Sequence, residues 1–277
     1  MRVQLSGRLG NQLFELAHGI KLSKERDKRL TLVWDDFSFP RGMSHDLSEI
    51  NLNCLEKSNF LGFGLKILDK IKKHSPTFES LICRTIGIYR EEHQEKTQKA
   101  RIVTGFYQDF QWADNSRQEL NDLLSKASMH TKHSIDKLQL PAEYQVLHYR
   151  SGDFFGHDAN FGVLSLDYYR ENLDKSLPAI VLTDSPSQAE KIFEHMDNIR
   201  IISPSECDAW SALVVMSEAK LIVGSNSTLS WWGAYFAIQK SGKAVIPVPF
   251  YANGSSVKLY HPDFSTSRSI FDERNEK

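Results

Sequence analysis

Cysteine is scarce in this chain: Cys54, Cys83 and Cys207 are far apart and odd in number. No C-x-x-C pair and no Cys/His cluster exists, so the sequence offers neither a structural zinc site nor a disulfide framework. A reducing compartment follows, and the chain reads as cytoplasmic. Long apolar runs are also missing. The first fifteen residues, MRVQLSGRLGNQLFE, hold no stretch long enough for the core of a signal peptide. Nowhere do about eighteen apolar residues run together, so no transmembrane span is expected. Charge of one sign is not in excess either: 34 Lys and Arg face 35 Asp and Glu, a net of −1. That balance argues against a nucleic-acid surface. Neither G-x-G-x-x-G nor a P-loop occurs, which disfavours dinucleotide and P-loop enzymes.

What is present is an ordinary globular composition, 40% hydrophobic and 25% charged, in 277 residues. At about 150 residues per domain, just under two domains are expected. The first 35 residues read as a β-α-β unit: a strand over Val3–Leu5, a turn over Ser6–Gly10, a helix over 11–26 and a strand over Leu30–Trp34. Residues 35–60 look loop-like, residues 61–100 helical, and the charged run 91–99 a solvated helix face. A strand is expected over Ile102–Tyr107 and a helix over Asn115–Met129. Residues 132–143, with Pro141, are the best interdomain linker. The expected division is 1–140 and 141–277.

The second half has a clearer rhythm. Strands over Val146–Tyr149, Ala179–Leu182, Ile199–Ile202, Leu221–Val223 and Ala244–Val248 alternate with helices. Short apolar strands alternating with helices predict a parallel sheet covered on both faces. Ligands bind such sheets at the carboxyl ends of the strands.

Three loops carry chemistry there. Gly7-Arg8-Leu9-Gly10-Asn11-Gln12 leaves a strand and opens a helix, so its backbone can approach an anion and Arg8 adds charge. The plainer reading is a tight turn with Asn11 as helix cap. His148, Arg150 and Asp153 cluster at the end of another strand, where an arginine can pair in a forked geometry with a diphosphate. The plainer reading is an Arg–Asp brace. Ser225, Asn226, Ser227 and Thr228 follow a third strand and offer small polar groups at a helix start. Trp231 and Trp232 come next, and core packing is the expectation for at least one of them. No lysine accompanies these residues.

Taken in order, GRLGNQLFELA, GFYQDFQW, HYRSGDF, LSLDYYRENL, LTDS and SNSTLSWWGAYF resemble glycosyltransferase family 11, the inverting α-1,2-fucosyltransferases of bacterial O-antigen and related glycans. The resemblance runs from Gly7 to about Tyr251. It implies an α/β, GT-B-like fold: two facing domains, an N-terminal acceptor-side domain and a C-terminal Rossmann-like parallel-sheet domain for the GDP-sugar. It also implies GDP-fucose as donor and a galactose-containing glycan as acceptor. A lipid-linked acceptor and a peripheral place at the inner membrane are compatible with that.

Carried over by residue, the family's H-x-R-R-x-D motif falls on His148, Arg150 and Asp153. Arg150 is then the contact to the donor pyrophosphate, and Ser151 stands where the family has a second arginine. Gly7, Gly10, Asn11 and Gln12 match the N-terminal loop, and Arg8 is placed to share the charge of the missing second arginine. Ser225, Asn226, Ser227 and Thr228 match the donor loop. Asp184 matches the first of an acidic pair, and Ser185 stands at its second position, the one that reads guanine in relatives. Asn11 is expected to orient the acceptor. Asp153, His157 and Asp158 are candidates for the general base, with Asp153 and Asp158 ranked equally. Gln108, Asp109 and Trp112 are candidates for the acceptor subsite beside Gln12; Phe106 and Phe110 are expected in the core. No D-x-D triplet occurs, so no metal is expected and arginine and amide dipoles must carry the charge. The rival expectations are a GDP-sugar transferase of another linkage or donor, and a catalytically silent glycan-binding module.

Overall fold

A computed structural model describes residues 1–36, 46–50, 52–91, 100–152, 161–254 and 257–271. The chain divides into two compact units, Met1–Leu120 and Asn121–Lys277.

In the first unit β1 (Arg2–Gln4) leads into α1 (Leu9–Arg26), followed by β2 (Thr31–Trp34), β3 (Leu55–Lys57), α2 (Asn59–His74), α3 (Pro76–Ile86), β4 (Ile88–Arg90), β5 (Ile102–Thr104), α4 (Phe110–Asn115) and the start of α5 (Arg117–Leu138). The sheet order is β3-β2-β1-β5-β4, and every pairing is parallel. The apolar centre is β1 and β2, with Val3, Leu32 and Val33 fully buried. A Cβ on Gly19 would come within 3.0 Å of Val3, so this glycine lets α1 lie close on the sheet.

The expected loop 35–60 therefore contains a strand, and the expected helical stretch 61–100 contains β4. Both missed strands are sheet edges, which need only one apolar face and tolerate charge. Residues read as a linker are helical as far as Leu138, completing α5.

In the second unit β6 (Gln145–Tyr149), α6 (Leu166–Asn172), β7 (Ala179–Thr183), α7 (Pro186–Phe193), β8 (Ile199–Ile202), α8 (Ala209–Ser217), β9 (Leu221–Val223), α9 (Thr228–Gln239) and β10 (Lys243–Val248) alternate as expected, and an unexpected last strand, β11 (Ser265–Arg268), follows. The order is β11-β10-β9-β6-β7-β8, all parallel. Strands β6 and β7 are buried at every residue, as central strands covered on both faces must be. Polar, exposed β11 closes one edge. Helices α8 and α9 are apolar all round and buried along most of their length. Gly233 makes their close approach feasible: a Cβ there would sit 2.6 Å from Met216 Cβ. Trp231 and Trp232 are both fully buried, and Trp231 Nε1 donates to the Leu259 carbonyl at 2.6 Å, so both belong to the core.

The chain leaves the middle of each sheet in both directions. In the second unit the strand order reverses between β6 and β9; in the first it reverses between β1 and β5. A crevice opens at the carboxyl edge of such a reversal point, because the two flanking loops depart to opposite sides. All three sequence loops fall at these two points.

Candidate functional site

At the β6/β9 reversal the chain turns through Arg150, Ser151 and Gly152. Arg150 Nη1 pairs with Asp184 Oδ2 at 3.0 Å, with the two side chains 14% and 18% exposed. Asp184 follows β7, so it approaches from the neighbouring strand. Its other oxygen accepts from the amides of Ser151 and Gly152, at 3.1 and 3.2 Å. One carboxylate thus fixes both the guanidinium and the loop that carries it. Gly152 is needed for this approach, since a Cβ there would lie 2.7 Å from Asp184 Oδ2. Asp184, expected to contact the donor, spends both oxygens inside the protein; here it is a brace. Ser151 is fully buried, so the position where the family carries a second arginine is a packing position in this chain.

His148 sits one pleat back, buried, with Nδ1 2.7 Å from Ser225 Oγ. Burial, with help from the Arg150 charge, holds its pKa down to about 4, so it is neutral at pH 7. It ties the end of β6 to the loop after β9. Asn226 is also buried and donates to the carbonyls of Phe161 and Gly162, both at 2.7 Å. Ser227 caps α9, accepting from the Leu229 amide at 3.3 Å, and Ser230 Oγ returns to the Ser225 carbonyl at 2.9 Å. So His148, Ser225 and Asn226 shape the crevice from within. Arg150, Ser227 and Thr228, at the positive end of α9, are its partly exposed members. Asp153, His157 and Asp158 lie outside the described residues.

At the β1/β5 reversal Gly7 has φ +66°, and a Cβ there would meet Asn11 Nδ2 at 2.5 Å. The helix starts at Leu9 with Arg8 as its cap, so Asn11 lies within the first turn instead of capping it. Gln108 Nε2, from the loop after β5, donates to Asn11 Oδ1 at 3.1 Å and joins the two loops at this reversal point. Gln12, expected to contact the acceptor, is fully buried. It donates to the Gly7 carbonyl at 2.9 Å and accepts from the Leu47 amide at 3.2 Å. Trp112 is also displaced from its expected place. Its ring packs edge-on to His18 at 5.0 Å and under Lys21 Nζ at 4.3 Å, seven to ten residues beyond Asn11. That is on the order of 10–15 Å down α1 from the crevice. Phe106, expected in the core, is 42% exposed in the loop after β5 and is the aromatic that this edge presents.

No family model matches the chain. It is 25% identical over 308 residues to the O-antigen biosynthesis glycosyltransferase WbnK of Escherichia coli, covering 92% of this chain and 96% of that one. It is 24% identical over 280 residues to an alpha-1,2-colitosyltransferase of Escherichia coli, covering 90% and 91%. The chain is a relative of O-antigen glycosyltransferases. The glycosyl transferase family 9 structure from Veillonella parvula shares its fold with a TM-score of 0.52 at 11% identity, covering 98% of this chain and 87% of that one. The fold is GT-B-like, an α/β chain with two parallel sheets.

In this glycosyltransferase relative the residues that sequence reasoning passed over are Tyr168 and Tyr169. Tyr169 donates to the His148 carbonyl at 2.9 Å and Tyr168 to the Gly224 carbonyl at 2.8 Å. They pin the two strand ends that flank the crevice. Their only signal in the sequence is the LDYYRE segment itself, where two tyrosines read as ordinary helix residues.

His18 supplies a stability test. It is buried, stacked on Tyr107 at 3.8 Å, and neither ring nitrogen meets a hydrogen-bond partner among the described residues. Burial lowers its pKa from 6.5 to about 3. Between those values the unfolded chain binds a proton that the folded protein refuses, so stability falls on acidification. His148 acts in the same direction down to about pH 4, while Glu15, whose carboxyl burial holds well above the usual range, acts oppositely. For one such histidine the change from pH 7 to pH 5 is about 2 kcal/mol. His18→Phe should shrink the loss of stability over that interval by this amount, measured by urea unfolding at both pH values. Equal losses in the two proteins would show that His18 is protonated in the folded state.

Proposed function

We propose that this protein transfers L-fucose from GDP-fucose to the 2-hydroxyl of a galactose in an O-antigen glycan, with inversion and without a metal ion. The reading rests on one observation above the others: a braced arginine and the N-terminus of α9 flank the same reversal point of the second sheet. A forked cation beside a helix N-terminus is a diphosphate site. The second unit accordingly takes the GDP-sugar, and the Asn11–Gln108 edge of the first unit takes the acceptor.

In the reaction the acceptor oxygen attacks the anomeric carbon, the bond from that carbon to the β-phosphate oxygen breaks, and GDP leaves. Negative charge grows on the β-phosphate, and Arg150 and the α9 dipole supply the opposite charge. A carboxylate accepts the hydroxyl proton, and Asp153 and Asp158 are the candidates. The Asn11 amide, held by Gln108, orients the acceptor but takes no proton.

One relative favours a second reading of the donor: the alpha-1,2-colitosyltransferase has, by its name, the same linkage with another sugar. The experiment is GDP release in excess chelator from GDP-fucose, GDP-mannose and nucleotide-linked colitose, with and without galactosyl disaccharides. Acceptor-dependent release from GDP-fucose is expected. Release from the colitosyl donor alone would replace the donor. Binding without release from any of them would favour a glycan-binding module, and release abolished by the chelator would refute the metal-free mechanism.

A further inference from the structure

No helix among the described residues is long and apolar enough to cross a membrane. The helical pair α2 and α3 nonetheless exposes an unusual amount of apolar surface. Their inner faces are already satisfied by a small core of Leu65, Leu68, Cys83 and Ile88. Outside it, Phe60 is 90% exposed, with Phe63 and Ile67 also exposed on the same helix. The spacing i, i+3, i+7 sets the three in one stripe. Phe78 and Leu81 are exposed on α3, three residues apart. Single exposed apolar residues are ordinary; two stripes on consecutive helices are not.

The charge beside the stripe is of one sign. Lys66, Lys70 and Lys73 are exposed and follow i, i+4, i+7, a row about 90° round α2 from the phenylalanines. Residues 59–90 carry six Lys and Arg against two acids, a net of +4 in a chain of net −1. Both acids, Asp69 and Glu79, are paired with Arg90, at 2.9 and 2.6 Å. The helical pair therefore carries a local excess of positive charge, and the rest of the chain carries −5.

We infer that α2 and α3 form a docking surface for an anionic phospholipid bilayer. Phenylalanines enter the headgroup boundary while a flanking lysine row meets lipid phosphates, which is the arrangement of interfacial helices. Charge complementarity selects the lipid over a second copy of the chain: an isologous pairing on this face would bring lysine rows towards one another. Docking confines the enzyme to the surface where a lipid-linked glycan acceptor would be met. The inference does not depend on which sugar is transferred, and its test uses no sugar nucleotide, so it can fail or stand alone.

The test is sedimentation of the full chain with vesicles of phosphatidylglycerol and phosphatidylethanolamine, against vesicles of phosphatidylcholine, at low and high salt. Binding to the anionic vesicles, weakened by salt, is expected. The triple variant K66Q/K70Q/K73Q should bind them less well by about fivefold per lysine, on the order of a hundredfold in all. F60S/F63S should also release the protein, with an unchanged melting temperature and unchanged turnover of soluble substrates. Wild type that stays in the supernatant, variants that bind like wild type, or a dimer that F60S/F63S dissociates without any vesicle binding would each overturn the inference.

Discussion

Arg150→Ala is expected to lower turnover by ~10²–10³-fold while leaving the protein folded. The size follows from what the side chain does at the transition state. In the proposed reaction the leaving GDP gains negative charge on its β-phosphate, and Arg150 is a partly exposed cation at the β6/β9 reversal. Alanine removes that charge and also strands Asp184, which then faces the crevice as an uncompensated carboxylate beside an incoming diphosphate. The loss should therefore exceed that of one neutral donor. Arg150→Lys keeps the charge but not the fork that serves Asp184 and phosphate together, so an intermediate loss is expected. Asp184→Asn separates the two effects. It still accepts from the Ser151 and Gly152 amides but no longer anchors the guanidinium by charge, so donor KM should rise more than kcat falls. Steady-state kinetics with saturating acceptor distinguish these patterns. Near-native turnover in a folded Arg150→Ala protein would end the assignment.

The architecture was legible in the sequence wherever elements are buried on both sides. Strands β6, β7 and β9 and helices α8 and α9 are predominantly apolar, and the positions of the strands agree with expectation to within a residue or two. What escaped is at the edges. Strand β11 reads Ser-Thr-Ser-Arg and β3 reads Leu-Glu-Lys, compositions that sequence pattern assigns to loops; only pairing to a neighbour makes them strands. The site divides the same way. Loops at strand ends could be located because the alternation of strands and helices places them. Which side chains stay available in those loops could not, because that depends on contacts remote in sequence. Asn226 reaches back to the carbonyls of residues 161 and 162, Tyr169 reaches the His148 carbonyl, and Gln12 reaches Leu47. None of these leaves a local signature. Several residues chosen as ligands for their polarity also hold their loops together.

Gln12 carries the second large prediction, and it tests that distinction. Its amide is fully buried and both ends are used, one on the Gly7 carbonyl and one on the Leu47 amide. Gln12→Leu preserves the volume but leaves an acceptor and a donor without partners inside the protein. At about 1–3 kcal/mol for each group so stranded, the expected destabilisation is about 3 kcal/mol. The Gly7 turn, with its positive φ and its glycine pressed against Asn11, loses the bond that holds its carbonyl. A residue that touched the acceptor would behave differently: its leucine variant would keep its stability and raise the acceptor KM. Urea unfolding combined with acceptor KM at a temperature where the variant is still folded decides between the two. Lost stability with an acceptor KM within about threefold of wild type supports the brace, since that factor is under 1 kcal/mol. Unchanged stability with a tenfold higher KM would return Gln12 to the acceptor subsite.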